Sequence, residues 1–98
     1  MFNVVILPLA KKDIHDAAQW YQKKQSGLGK RFTGEVRGKV RFIGRNPMVY
    51  AKRYDDVRTA VLNTFPFLVH YTYDEINNII VISAVLHTSR NPNIWENR

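Results

Sequence analysis

The spacing of apolar residues changes several times along the chain, and each change marks an element. Phe2–Leu7 (FNVVIL) is a continuous, β-branched apolar run closed by Pro8, which predicts a short strand, buried or at an edge. The period then lengthens. Ala10, Ile14, Ala17, Ala18 and Tyr21 share one helical face. Asp13 and Asp16 sit in the early turns of this predicted helix and Lys23-Lys24 at its end, an order that suits the helix dipole. Gly27 and Gly29 break the chain. A second stripe, Leu28, Phe32, Val36, Val40 and Ile43, predicts another helix, stopped by Gly44 and Asn46-Pro47. Gly34 and Gly38 lie inside it, each costing about 1 kcal/mol of helix propensity relative to Ala. Close approach of another backbone would account for that cost.

Met48–Asp56 reads as a loop, with Lys52-Arg53 and Asp55-Asp56 as charged pairs. Beyond it the period becomes two. Val57–Leu62 predicts a strand, Asn63-Thr64 a turn, and Phe67–Tyr73 (FLVHYTY) a second strand. Asp74–Asn78 predicts a hairpin turn, and Ile79–Leu86 (IIVISAVL) a central strand apolar on both faces. The predicted order is β-α-α-β-β-β: one α+β domain over residues 1–98, with a small antiparallel sheet packed against a helical hairpin. The tail from His87 carries Pro92 and Trp95. A tryptophan needs cover, so the tail is expected either to fold back with Trp95 plugging the core or to offer Trp95 as a partner contact.

Composition narrows the function. The chain has 98 residues and no cysteine, which excludes a disulfide framework, a thiolate metal site and a cysteine nucleophile. It is 45% apolar, enough for a core, and carries a formal net charge of +7. No run approaches a membrane span or a signal peptide, so cytoplasmic residence is expected. The charge is uneven. Residues 11–58 hold thirteen basic and five acidic side chains, and the rest of the chain is slightly acidic. The densest stretch is one face of the second helix, Lys30, Arg37, Arg41 and Arg45, with Arg31 and Lys39 beside it. Such a surface attracts polyanions or acidic proteins.

Candidate chemistry is sparse. His15, His70 and His87 have no partner at a metal-ligand spacing, so neither a metal nor a cofactor is expected. Gly27-x-Gly29-Lys30 lacks the phosphate-loop pattern and reads as a helix–helix turn. Asp13/Asp16 and Asp55/Asp56 lack the cleft a glycosidase needs. No small-molecule substrate is indicated. A metal-independent ribonuclease needs an acid–base pair and cations for the phosphate. His87 as acid or base, with Arg90, Arg58 and Lys52 on phosphate, supplies those types if loop, sheet and tail converge. His70, inside a strand, reads as a packed histidine. A non-catalytic basic nucleic-acid-binding domain is a further reading, though the interleaved aromatics of a single-strand binder are missing.

Three blocks then stand out: Pro8-Leu-Ala-Lys-Lys-Asp13-Ile-His-Asp16-Ala-Ala-Gln-Trp20-Tyr21, Phe65-Pro-Phe-Leu-Val-His-Tyr71, and Ala84-Val-Leu-His87-Thr-Ser-Arg90-Asn-Pro92-Asn-Ile-Trp95. In order and spacing the chain resembles the RelE/ParE superfamily of bacterial type II toxin–antitoxin toxins over nearly its whole length. The last block is similar to the His-x-x-Arg-x-Pro tail of ParE-like members. The resemblance implies the fold already read, plasmid-stabilisation-type toxicity, and neutralisation by an acidic antitoxin encoded beside the toxin. It implies one of two targets: DNA gyrase for ParE-like members, or ribosome-bound mRNA for RelE-like ribonucleases. RelE-like members usually carry an arginine where Phe67 stands here, and a basic-plus-tyrosine ending that this tail lacks. The ParE-like reading is therefore preferred, with Lys30, Arg37, Arg41, Arg45 and Trp95 expected to bind an acidic partner.

Overall fold

The computed structural model describes residues 3–89. Its elements are β1 (Asn3–Ile6), α1 (Pro8–Lys24), α2 (Leu28–Arg45), β2 (Lys52–Tyr54), β3 (Val57–Val61), β4 (Phe67–Asp74) and β5 (Ile79–His87). Arg90 and Trp95, and the expected folding back of the tail, lie outside the described residues.

Pro8 takes the first helical position, where its missing N–H costs nothing, so α1 begins two residues before the apolar stripe does. Asp13 therefore lies beyond the first turn, which holds no acidic residue, and its carboxylate has a different task, described below. The hairpin into α2 closes over three residues. Gly27 adopts a left-handed conformation (φ 89°) that favours glycine, and Gln22 Oε1 accepts from the Gly27 and Gly29 amides at 3.0 and 3.2 Å. Gly29 is where the helices meet most closely. A Cβ there would run into the backbone carbonyl of Ala18. Gly34 and Gly38, where a close backbone was expected, instead face open space.

The five strands form one sheet in the order β1-β5-β4-β3-β2. β2–β5 are antiparallel, whereas β1 runs parallel to β5, pairing Asn3 with Ile79 through Ile6 with Ile82. The expected antiparallel sheet is thus a mixed one. The helical hairpin is the crossover that parallel pairing requires. β2, short and irregularly paired, lies in the segment read as loop. β1 stops at Ile82, so among the described residues the end of β5 from Val85 to His87 has no strand on its outer side.

One face of the sheet packs on the helices. Phe32, Val36 and Ile43 of α2 and Ala10 and Ala17 of α1 join Ala60, Val69, Tyr71, Ile80, Ile82 and Val85 in a buried core. At the hairpin end Tyr21, Phe32, Phe65 and Phe67 form an aromatic cluster with ring centroids 4.7–6.1 Å apart. Such pairs add about 0.5–1.5 kcal/mol each beyond area burial. Glu35 ties α2 to the β3–β4 turn, its Oε1 accepting from the Thr64 amide at 2.6 Å. Burial raises the Glu35 carboxyl, but the backbone and hydroxyl of Thr64 and the amides of Phe65 and Asn63 outweigh it, so the group sits below its ordinary value. On the other face Leu68, Ala84 and Leu86 are buried with Tyr54 against them.

Candidate functional site

Where β5 outruns β1, α1 crosses over its end and leaves a groove of about 360 Å³. Asp13, Asp16, Ala17, Trp20 and Tyr21 of α1 form one wall; Phe67 of β4 and Val85, Leu86 and His87 of β5 form the other. The open strand edge would leave its amides without ladder partners, and Asp13 answers one of them. Its Oδ2 accepts from the Val85 N–H at 3.0 Å, seventy-two residues away in sequence. Asp16 on the rim is held by Lys12 at 2.8 Å, a hydrogen bond and charge contact that keep its carboxyl below the usual range. That pair is fully solvated and contributes little to stability.

Trp20 is the groove's most exposed large aromatic, 56% accessible, set edge-on to Tyr21 with the Lys24 ammonium 4.8 Å from its ring centre. Burial raises the Tyr21 hydroxyl above its ordinary value. His87 closes the far end, its ring 5.2 Å from that of Phe67. Its Nδ1 accepts from the Ser89 amide at 3.0 Å and lies 2.7 Å from Ser89 Oγ, which places the proton of the neutral ring on Nε2. The groove offers apolar surface, rings and a few fixed polar groups, a recipe for gripping a peptide segment.

The ribonuclease candidates do not converge. Lys52 and Arg58 are paired across β2 and β3. Lys52 reaches Asp56 at 3.4 Å, and Arg58 donates to the carbonyls of Tyr50 and Met48 at 2.6 and 3.4 Å, which pins the incoming loop. The hollow beside them also holds Asp56, Asp74 and Glu75, a poor seat for phosphate. His87 pairs with Phe67, four residues along β4 from the Tyr71 that pairs with Arg58. Strand spacings put His87 and Arg58 about 17 Å apart. The expected convergence on one sheet face is therefore absent among the described residues. Arg90 lies outside them. His70 is the packed histidine that its strand position predicted: wholly buried, with Nδ1 3.1 Å from the Tyr54 hydroxyl. No three metal-ligating side chains gather among the described residues, and no helix of theirs is long and apolar enough to cross a membrane.

Lys30, Arg37, Arg41 and Arg45 are exposed along the outer side of α2, away from the groove. Lys39 is turned aside toward Tyr50, whose hydroxyl is 3.2 Å from its Nζ.

The family model "ParE toxin of type II toxin-antitoxin system, parDE" matches residues 4–92. The chain belongs to the ParE toxin family. Solved structures agree in fold. The chromosomal ParDE system from P. aeruginosa superposes with a TM-score of 0.77 at 16% identity, covering 91% of this chain and 98% of that one. The intact E. coli RelBE toxin–antitoxin complex gives 0.71 at 13%, covering 92% and 100%. The isolated E. coli RelE toxin gives 0.68 at 12%, covering 99% and 95%. No curated protein matches the chain at a significant level. The ParE-like toxin reading drawn from the tail and from Phe67 thus holds. Sequence reasoning missed the groove. Its signal was Trp20, an aromatic just off the apolar stripe of α1.

Proposed function

We propose that this ParE-family toxin acts in the cytoplasm by inhibiting DNA gyrase through protein contacts, and that a cognate antitoxin silences it by seating an apolar segment in the α1 groove. The observation that carries the target is Phe67. Where RelE-like ribonucleases carry a phosphate-binding arginine, this chain has a ring packed against Tyr21, Phe32 and His87. The scattered Lys52, Arg58 and His87 support the same reading, because phosphate cleavage needs its acid, base and cations within one substrate's reach. The antitoxin's place is supported by the apolar groove walls and the exposed Trp20, with Lys24 over its ring to meet a carboxylate that flanks an apolar segment.

The test is a pair of assays with the purified chain. Gyrase supercoiling should fall at stoichiometric toxin, translation in a cell-free extract should continue, and antitoxin should restore supercoiling. Blocked translation with intact supercoiling would transfer the protein to the ribosome-directed class. Loss of neither activity would refute toxicity by both routes.

A further inference from the structure

The basic row on α2 stands apart from the groove. Lys30, Arg37, Arg41 and Arg45 are spaced i, i+7, i+11 and i+15, so they form one line along the helix, opposite the Phe32, Val36 and Ile43 face that enters the core. From Lys30 to Arg45 the line runs about 22 Å. All four are exposed, and no ion pair between described residues involves any of them. Glu35, the one acidic residue of α2, is turned away to the amides of the β3–β4 turn. An uncompensated line of like charge opposes helix formation, and nothing in the described fold offsets it.

We propose that this face of α2 is a docking surface for the phosphate backbone of duplex DNA. Charge complementarity is the first argument: four exposed cations in line along a helix match a regularly charged polyanion. The second is what the row lacks. A protein partner needs an apolar or aromatic anchor at the centre of its interface; between these cations stand Gly34 and Gly38, and the exposed ring of Phe42 lies to one side, edge-on to Tyr50. A single strand needs rings on which to stack its bases. The row has no side-chain acceptor to take the proton of a ribose 2′-hydroxyl, the group that tells RNA from DNA. The glycines are the third argument. A Cβ at either would meet nothing in this chain. They weaken the helix without easing any internal contact, and they leave its backbone bare between the arginines, where a phosphate strand can lie close. The proposal does not depend on gyrase being the target.

The experiment is fluorescence anisotropy of a labelled 20-base-pair DNA duplex titrated with the full chain across NaCl concentrations. Competitor arms are an RNA duplex of equal length, single-stranded DNA and poly-glutamate. Four phosphate contacts give a slope of log K on log salt of about −3.6, so affinity should fall about 150-fold between 50 and 200 mM. R37A/R41A should flatten the slope to about −1.8. G34A/G38A should bind several-fold more weakly while melting at a higher temperature, a combination that damage to the fold cannot produce. A wild-type slope shallower than about −1, or one unchanged in R37A/R41A, would overturn the proposal. Tighter binding of poly-glutamate would reassign the face to an acidic protein, and tighter binding of the RNA duplex would reassign it to RNA. Wild-type affinity in G34A/G38A would remove the close-approach argument.

Discussion

Replacing glycine by alanine within the single helix α2 should change stability in opposite directions at different positions. Alanine narrows the unfolded ensemble and favours the helix wherever it is placed, a gain of up to about 1 kcal/mol. At Gly34 the new methyl enters open space, so the whole gain is kept. At Gly29 it meets the Ala18 carbonyl and lies 3.0 Å from Gln22 Cβ. The main obstacle is backbone of the facing helix, which moves only if the hairpin opens. That opening also stretches the Gln22 bonds to the Gly27 and Gly29 amides. Overpacking of this kind costs about 1–3 kcal/mol, so G29A should lose up to about 2 kcal/mol net while G34A gains about 1. For a chain of 98 residues, each kcal/mol moves Tm by about 4–8 °C. Thermal unfolding of the two variants, followed by far-UV circular dichroism, should therefore show midpoints at least about 4 °C apart, the smallest shift for a cost of about 1 kcal/mol. Equal midpoints, or a G29A protein more stable than wild type, would refute the close crossing of α1 and α2.

Two further outcomes follow from single hydrogen bonds. Glu35 is held below its ordinary pKa, so its contribution is present above the unfolded value near 4.3 and is lost as pH falls through the lower folded value. E35Q should cost about 1 kcal/mol at pH 7 in urea titrations, and its gap from wild type should narrow as pH falls below the unfolded value near 4.3; a gap independent of pH would contradict the assignment. D13A leaves the Val85 amide without its carboxylate and should cost about 1–2 kcal/mol. D13N, which keeps an acceptor oxygen, should cost less, and equal losses would mean that the α1–β5 bond is not what matters.

The helices and β3–β5 were legible because each has one strong period. The α2 stripe through Phe32, Val36 and Ile43 names its core face, and the two-sided apolar run at Ile79–Leu86 names a central strand. The direction of β1 was not legible. FNVVIL says strand and nothing about its neighbour, and the partner lies beyond the whole helical hairpin. β2 escaped because three residues, two of them basic, have no alternation to read. Asp13 was assigned to the helix dipole because the stripe begins at Ala10, whereas Pro8 starts the helix earlier and frees that carboxylate for Val85. The groove is a property of two elements meeting, and only Trp20 hinted at it. The basic row was fully visible, since a helix of known phase fixes where every arginine points.

The parallel pairing of β1 with β5 also sets a clock. Asn3 is made first and its partner Ile79 seventy-six residues later. At about 5–20 residues per second, β1 waits roughly 4–15 s on a growing chain for a strand to join. The helical hairpin, made of local contacts, has formed long before. The groove needs α1 and the end of β5 together, so it is absent from a nascent chain until β5 has been made. The surface through which this toxin would be restrained arises only with the last residues of the sheet, in the same step that completes the fold.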